Sequence, residues 1–141
     1  MKKAFSLIEL MIVIIILGLL GTLVLPNLLG KGEEAKRNLV CSQMRGVSEA
    51  LKMVKIDNGM YPTTSEGLKA LVSNPDSTKY VGYAPNAYLE SKKPPKDSWK
   101  TPIIYVSDEE NGYNLISLGA DRKEGGTKGA KDISFNSDCK D

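Results

Sequence analysis

The sequence predicts an α+β protein in which one long N-terminal helix precedes a small head with an antiparallel β-sheet. Three observations support this prediction. Residues 5–29 form an apolar run in which Glu9 is the single charge. An amphipathic stripe with helical spacing follows this run. Two short β-like segments, 102–106 and 113–118, then flank an Asn-Gly turn signal, which is typical of a β-hairpin.

Length and composition limit the kind of function. The chain has 141 residues and no histidine, which excludes His-based catalytic triads and His metal sites. Its 19 basic and 17 acidic residues give a net charge of +2, and Lys2 and Lys3 at the N-terminus account for that excess. The remainder is nearly neutral, so we expect no nucleic-acid partner.

The apolar run is long enough to cross a membrane. As a helix, residues 5–25 would span about 32 Å, which matches the hydrocarbon core of a bilayer. Lys2 and Lys3 predict that the N-terminus is cytoplasmic and that the rest of the chain points outward. No small-residue cleavage site follows the run, which distinguishes it from an ordinary secretory signal. Pro26, near the end of the apolar run, predicts either a kink in the helix or a flexible segment where the chain leaves the membrane.

The second part of the helix, residues 30–57, is amphipathic. Its apolar side chains recur at steps of four and three, which places them on one helix face. They are Val40, Met44, Val47, Leu51 and Val54. The sequence DNG at residues 57–59 predicts the end of the helix.

The head, residues 58–141, contains shorter elements. Thr63 and Glu66 form a capping-box pattern that predicts a short helix. Residues 73–98 are rich in Pro, Asn, Ser and Lys and are predicted to be loop. A Gly-rich loop then precedes a third short strand, predicted over residues 133–135.

Two cysteines, Cys41 and Cys139, are too far apart for a CxxC metal or redox motif. In an exported protein they would form a disulfide that ties the chain end to the long helix. The alternative is two unrelated thiols, and the sequence leaves both open.

The N-terminus resembles a known processing signal. Residues 2–10, with the sequence KKAFSLIEL, are similar to the class III signal of type IV pilins and pseudopilins. The resemblance implies that a prepilin peptidase cuts between Ala4 and Phe5 and methylates the new amine of Phe5. Ala4 stands where the family usually has glycine, whereas Glu9 and Pro26 occupy hallmark positions.

Three segments of the head narrow the resemblance to the major pseudopilin of type II secretion systems. They are residues 58–72, 94–106 and 111–126. The chain departs from the family pattern at Ser98, where proline is usual, and at Lys100 and Arg122, where glycine is usual. A type IV pilin or a competence pseudopilin, serving adhesion or DNA uptake, is the alternative within the superfamily.

The resemblance implies a pilin-like fold with four parts. These are a leader, a membrane and filament-core half of the helix, an amphipathic half, and a periplasmic head, at residues 1–4, 5–29, 30–57 and 58–141. It also implies that subunits leave the inner membrane and form a periplasmic pseudopilus that drives export of folded proteins. Implied partners are membrane lipid before assembly, other copies of the chain, minor pseudopilins, the prepilin peptidase, and an inner-membrane assembly platform with a separate cytoplasmic ATPase.

In such a filament, Glu9 of one subunit would pair with the Phe5 amine of its neighbour. The pair would lower the desolvation penalty of each charge and fix the register of the helices. The alternative is a carboxylate that reaches the membrane interface.

A membrane-anchored enzyme or binding module is a competing class, but no nucleophile–base pair is recognisable, so we expect no enzyme activity. A plain single-span anchor leaves the leader and Glu9 unexplained.

The same resemblance implies a calcium site in the Gly-rich loop. Its ligands would be the side chains of Asp121 and Asp132 with backbone oxygens, such as that of Leu118 and carbonyls within residues 123–128. Ca²⁺ takes about six to eight oxygen ligands, and a Gly-rich loop can turn several carbonyls inward. Four basic residues oppose a cation: Arg122, Lys123, Lys128 and Lys131. The alternatives are a turn role for Asp121 and a solvated charge for Asp132.

Overall fold

The computed structural model describes residues 4–140, apart from the side chains of residues 24–29. The chain divides into two compact units, residues 1–35 and 36–141. The leader lysines and the side chain of Pro26 lie outside the described residues. The backbone at position 26 is helical, and a kink or flexible exit there stays a prediction.

A single helix, α1, covers Leu7–Asn58. In the first unit, the large apolar side chains described between Phe5 and Leu23 are 46% to 83% exposed. Among the described residues, no helix combines the length and apolarity needed to cross a membrane. The predicted membrane span, residues 5–29, includes residues 24–29, whose side chains the structure does not describe.

In the second unit, the predicted apolar stripe of α1 forms the centre of the core. All five of its side chains are at most 3% exposed, which confirms the helical spacing predicted from the sequence. They belong to one buried cluster with residues of the sheet and of a short 3₁₀ helix, including Leu71, Tyr105, Leu115 and Ile133. Gly59 ends the helix in a left-handed conformation, with φ of 79°, as its N–H donates to the Lys55 carbonyl.

The capping box is present, but it leads into a 3₁₀ helix, Gly67–Leu71, and not an α-helix. The Thr63 N–H donates to Glu66 Oε2 at 2.7 Å, and the Glu66 N–H donates to Thr63 Oγ1 at 3.3 Å. Gly67 has a φ of 57°, which interrupts the right-handed turn before an α-helix can form.

The sheet has three antiparallel strands in the order β1 (Ile104–Asp108), β2 (Gly112–Ser117) and β3 (Ile133–Ser134). The predicted α+β class, one long helix followed by a small antiparallel sheet, is therefore confirmed. The predicted bounds of the first strand, 102–106, were two residues early. Pro102 makes only an isolated bridge, whereas hairpin pairing continues as far as Asp108 opposite Gly112.

The chain after the hairpin contains two short helical segments around β3. A 3₁₀ turn, Lys128–Ala130, precedes the strand, and a one-turn helix α2, Phe135–Asp138, follows it. Phe135, predicted to be in the third strand, therefore begins a helix. The change of direction is fixed because Asp138 Oδ2 accepts a hydrogen bond from the Ser134 N–H at 2.8 Å.

Candidate functional site

The C-terminal end of the chain is fastened to α1. Cys41 and Cys139 form a disulfide, with their Cα atoms 5.3 Å apart. Arg45 Nη2 also donates a hydrogen bond to the Cys139 carbonyl at 3.1 Å. Of the two alternatives left open by the sequence, the structure has the bonded pair.

A buried carboxylate, Asp97, fixes the point at which the Gly-rich loop begins. Asp97 is 2% exposed, and its Oδ1 accepts hydrogen bonds from the N–H groups of Trp99 and Thr101, both at 2.9 Å. Its Oδ2 accepts a hydrogen bond from the buried hydroxyl of Ser117 at 2.7 Å. Asp97 therefore joins a loop segment to the end of β2, directly before Leu118.

No role for Asp97 was predicted from the sequence. The signal available was local: an aspartate two residues before a tryptophan, in a Pro- and Lys-rich segment, is typical of a side chain that caps a turn. The bond to Ser117 had no such signal, because the two residues are distant in sequence.

The structure brings Asp121 and Asp132 to the same corner of the Gly-rich loop. Asp132 Oδ2 accepts a hydrogen bond from the Gly125 N–H at 3.0 Å, and its own N–H donates to the Gly125 carbonyl at 3.1 Å. A Cβ atom placed on Gly126 would come within 3.1 Å of Asp121 Oδ2. Asp121 Oδ1 accepts a hydrogen bond from the Lys123 N–H, so this aspartate does take part in a turn.

The donor set of this corner fits a hard cation. Asp132 is partly exposed, but its Oδ1 is shielded from solvent and accepts no hydrogen bond from the described residues. A buried carboxylate oxygen without a partner is destabilising, and a cation would satisfy it. The described part of the chain contains no group of three His, Cys, Asp or Glu side chains suited to a metal. Backbone carbonyls would therefore have to complete the ligand set.

The basic residues around the loop do not prevent a cation from binding at this corner. The side chains of Arg122, Lys123, Lys128 and Lys131 are all exposed, so solvent and salt weaken their repulsion of a cation. A fifth basic residue, Arg37 of α1, donates a hydrogen bond to the Lys131 carbonyl at 2.7 Å. Arg37 thus holds the loop against the helix, a role that its position in the sequence did not indicate.

The predicted processing and assembly residues lie at the start of α1. Ala4 and Phe5 precede the helix, and Phe5 is 83% exposed. Glu9 lies in the first turn of α1 with its side chain exposed. The helix begins with the Leu10 N–H donating to the Ser6 carbonyl, so Phe5 and Glu9 are separated by about one helical turn.

Comparison with known proteins identifies the family. Residues 27–136 match the family model of type II secretion system protein G. The chain belongs to this family. Residues 1–25 also match the prokaryotic N-terminal methylation motif, so the two resemblances inferred from the sequence are confirmed.

Individual members of the protein G family are similar in sequence to this chain over nearly its full length. The chain is 40% identical to type II secretion system core protein G of Vibrio cholerae, covering 94% of this chain and 90% of the relative. It is 39% identical to the core protein G of Pseudomonas aeruginosa, covering 94% and 93%. The crystal structure of the major pseudopilin from enterohaemorrhagic Escherichia coli matches with a TM-score of 0.65 and 29% identity, covering 77% of this chain and 93% of the other.

Proposed function

We propose that this member of the protein G family is a major pseudopilin, a structural subunit that polymerises into the pseudopilus of a type II secretion system and drives export of folded proteins. It is a filament component and not an enzyme. The observation that carries the proposal is the exposed apolar surface of α1 from Leu7 to Leu23, with Glu9 as its single charge. Apolar surface of this extent has to be covered by lipid or by other copies of the chain.

The same apolar surface is buried first in the inner membrane and then in the filament. Before assembly, residues 5–29 anchor the subunit in the inner membrane, with the N-terminus cytoplasmic and the head in the periplasm. The prepilin peptidase cuts between Ala4 and Phe5, and an assembly platform with a cytoplasmic ATPase moves subunits into a filament with minor pseudopilins. The disulfide supports a periplasmic head, because disulfides persist in oxidising compartments.

Glu9 sets the register of the filament core. Its carboxylate pairs with the methylated amine of Phe5 in the neighbouring subunit, since an unpaired charge among apolar helices would suffer the full desolvation penalty. The contribution of the pair is mainly specificity, because apolar helix surfaces alone define axial position poorly.

Calcium orders the C-terminal loop. The Asp121 and Asp132 side chains would hold the ion together with backbone oxygens, including that of Leu118 and carbonyls within residues 123–128. A bound Ca²⁺ would neutralise the two carboxylates and stabilise a segment that contains few apolar side chains. The solvent-shielded, unpartnered Oδ1 of Asp132 supports this role.

A second candidate is a type IV pilin or competence pseudopilin for adhesion or DNA uptake. The disulfide between Cys41 and Cys139 favours it, since a tail clamped by a disulfide is typical of pilins. Long surface filaments at native expression levels would distinguish this candidate from a periplasmic pseudopilus.

Genetic complementation tests the proposal. In a strain that lacks this chain but retains the other secretion components, we expect the wild-type gene to restore protein export into the medium. We also expect electron microscopy with antibody labelling to detect filaments of the chain after its overproduction. Normal export without the gene would contradict the proposal.

A further inference from the structure

A groove of about 500 Å³ opens in the head beside the start of β1. Its floor includes the apolar surfaces of Pro94 and Ile103 and the ring of Tyr105. Three exposed lysines line its rim: Lys69, Lys93 and Lys96. The groove therefore combines an apolar floor with a cationic rim.

These rim lysines have no acidic partner in the described part of the chain. Glu66 is the one carboxylate that lines the groove, and it is already engaged. It accepts hydrogen bonds from Lys79 Nζ at 2.9 Å and from the Tyr80 hydroxyl at 2.6 Å. The groove thus carries a surplus of positive charge.

The opposite charge is concentrated at the turn between β1 and β2. This acidic tip consists of Asp108, Glu109 and Glu110. Asp108 accepts hydrogen bonds from the Glu110 N–H at 2.9 Å and from Asn111 Nδ2 at 3.0 Å, which orders the turn. The carboxylates of Glu109 and Glu110 are exposed and make no hydrogen bond or ion pair with the described residues.

The two patches lie at opposite ends of one strand. Ile103 and Tyr105 line the groove where β1 begins, and Asp108 ends the strand at the tip. At about 3.3 Å per residue, Ile103 and Asp108 are separated by about 17 Å, so the tip does not reach the groove of its own head. Complementary patches at opposite ends of a rigid element produce a heterologous contact, which repeats from copy to copy and generates an open filament.

We propose that the acidic tip of one copy docks in the lysine-rimmed groove of a second copy. Glu109 and Glu110 then face Lys93 and Lys96 across the contact, where the apolar floor lowers the local dielectric and strengthens the attraction. This inference rests on the proposed function, because it assigns a contact between heads within the same filament.

Cysteine cross-linking in cells with the complete secretion machinery tests the contact directly. The full chain carrying Glu110→Cys and Lys96→Cys should give disulfide-linked dimers and larger multiples on a non-reducing gel. The matched control replaces Glu110→Cys with Glu90→Cys, an exposed carboxylate outside both patches, and should give no such ladder. Filaments without cross-linked species from the first pair would overturn the contact.

Charge reversal provides a second, independent readout. Reversing the tip with Glu109→Lys and Glu110→Lys, or the rim with Lys93→Glu and Lys96→Glu, should lower filament yield about tenfold. Combining both reversals in one chain restores complementarity at every contact and should recover the yield. The single reversal Glu90→Lys should leave the yield unchanged.

The outcomes separate the two proposals. Abundant filaments from the unaltered chain, with equal yields from both reversed variants, would overturn the contact and leave the pseudopilin function intact. An unaltered chain that forms no filament in the complete machinery would overturn the pseudopilin function and the contact with it.

Discussion

The hydroxyl of Tyr80 donates a 2.6 Å hydrogen bond to Glu66 Oε2, and Lys79 forms an ion pair with the same carboxylate at 2.9 Å. Thr63 adds its backbone N–H at 2.7 Å. Burial raises the pKa of Glu66, but hydrogen bonds from Tyr80, Lys79 and Thr63 outweigh it and lower the pKa to about 2. One carboxylate therefore links the capping box to the segment that contains Tyr80.

This arrangement predicts acid sensitivity of the head. Because the folded-state pKa of Glu66 lies below its ordinary value of 4.5, the carboxylate stabilises the fold above that pH. We expect this stabilisation to decline as the pH falls from about 4.5 towards 2. Urea unfolding of the head at a series of pH values measures it. Glu66→Gln should be less stable at neutral pH and should lack this part of the pH dependence, whereas Glu90→Gln should match the wild type. Parallel pH profiles for Glu66→Gln and wild type would contradict the prediction.

Two departures from the family pattern predict stabilising substitutions. Lys100 and Arg122, which stand where glycine is usual, have φ of 66° and 59°. A side chain in this left-handed region is strained by about 1 kcal/mol, and glycine is not. Lys100→Gly and Arg122→Gly should therefore raise the free energy of unfolding by about 0.5 kcal/mol each, after allowing for the greater freedom of glycine in the unfolded chain. Lys96→Gly, outside the left-handed region, is the control and should destabilise. Loss of stability in all three variants would argue against a strained backbone.

Processing of the N-terminus is open to a direct measurement. Mass spectrometry of the mature chain should find Phe5 as the first residue, carrying a methylated amine. The family motif over residues 1–25 supports this result. An intact Met1, or a cut after residue 25, would place the chain outside the prepilin processing class.

The proposed pairing of Glu9 predicts a defect in assembly but not in insertion. Glu9→Ala should leave the subunit in the membrane fraction and abolish filaments, because the Phe5 amine of the neighbour loses its counter-charge. Glu9→Asp, which keeps the charge on a shorter side chain, should retain part of the assembly. The ratio of filament to membrane-bound subunit on immunoblots measures both effects. Wild-type filament levels in Glu9→Ala would rule out the pairing.

Calcium should stabilise the head through its C-terminal loop. We expect the unfolding temperature to rise by about 5 °C or more when Ca²⁺ replaces chelator, because an ion bound only by the folded state shifts the unfolding equilibrium. Asp121→Asn and Asp132→Asn should reduce the shift. Glu124→Gln, an exposed carboxylate of the same loop, should retain it. An unfolding temperature that is insensitive to chelator would remove calcium from the function.

The parts of the fold that follow from local periodicity could be predicted from the sequence. The buried stripe from Val40 to Val54 repeats with helical spacing, so its face and its burial followed directly. The capping-box bonds of Thr63 and Glu66 were likewise encoded within four residues. Strand ends were less accurate, because the pairing of Asp108 with Gly112 depends on the partner strand and not on the β-propensity of aspartate.

Contacts between distant residues were not predictable in this way. The bonds of Asp97 to Ser117 and of Arg37 to the Lys131 carbonyl join segments that approach each other only in the folded head. From the sequence, Asp97 and Arg37 would both be expected to be ordinary charged residues at the protein surface. For the loop, the resemblance named Asp121 and Asp132, but only the folded chain reveals the solvent-shielded oxygen of Asp132.

The bond between Cys41 and Cys139 has a mechanical consequence. At Cys41, a load carried along α1 is shared between the helix backbone and a covalent link to the last residues of the chain. The C-terminal segment therefore cannot be peeled away under tension without breaking a covalent bond. While the bond is intact, unravelling from the C-terminal end stops at Cys139, and the residues between the two cysteines stay linked at both ends of their segment.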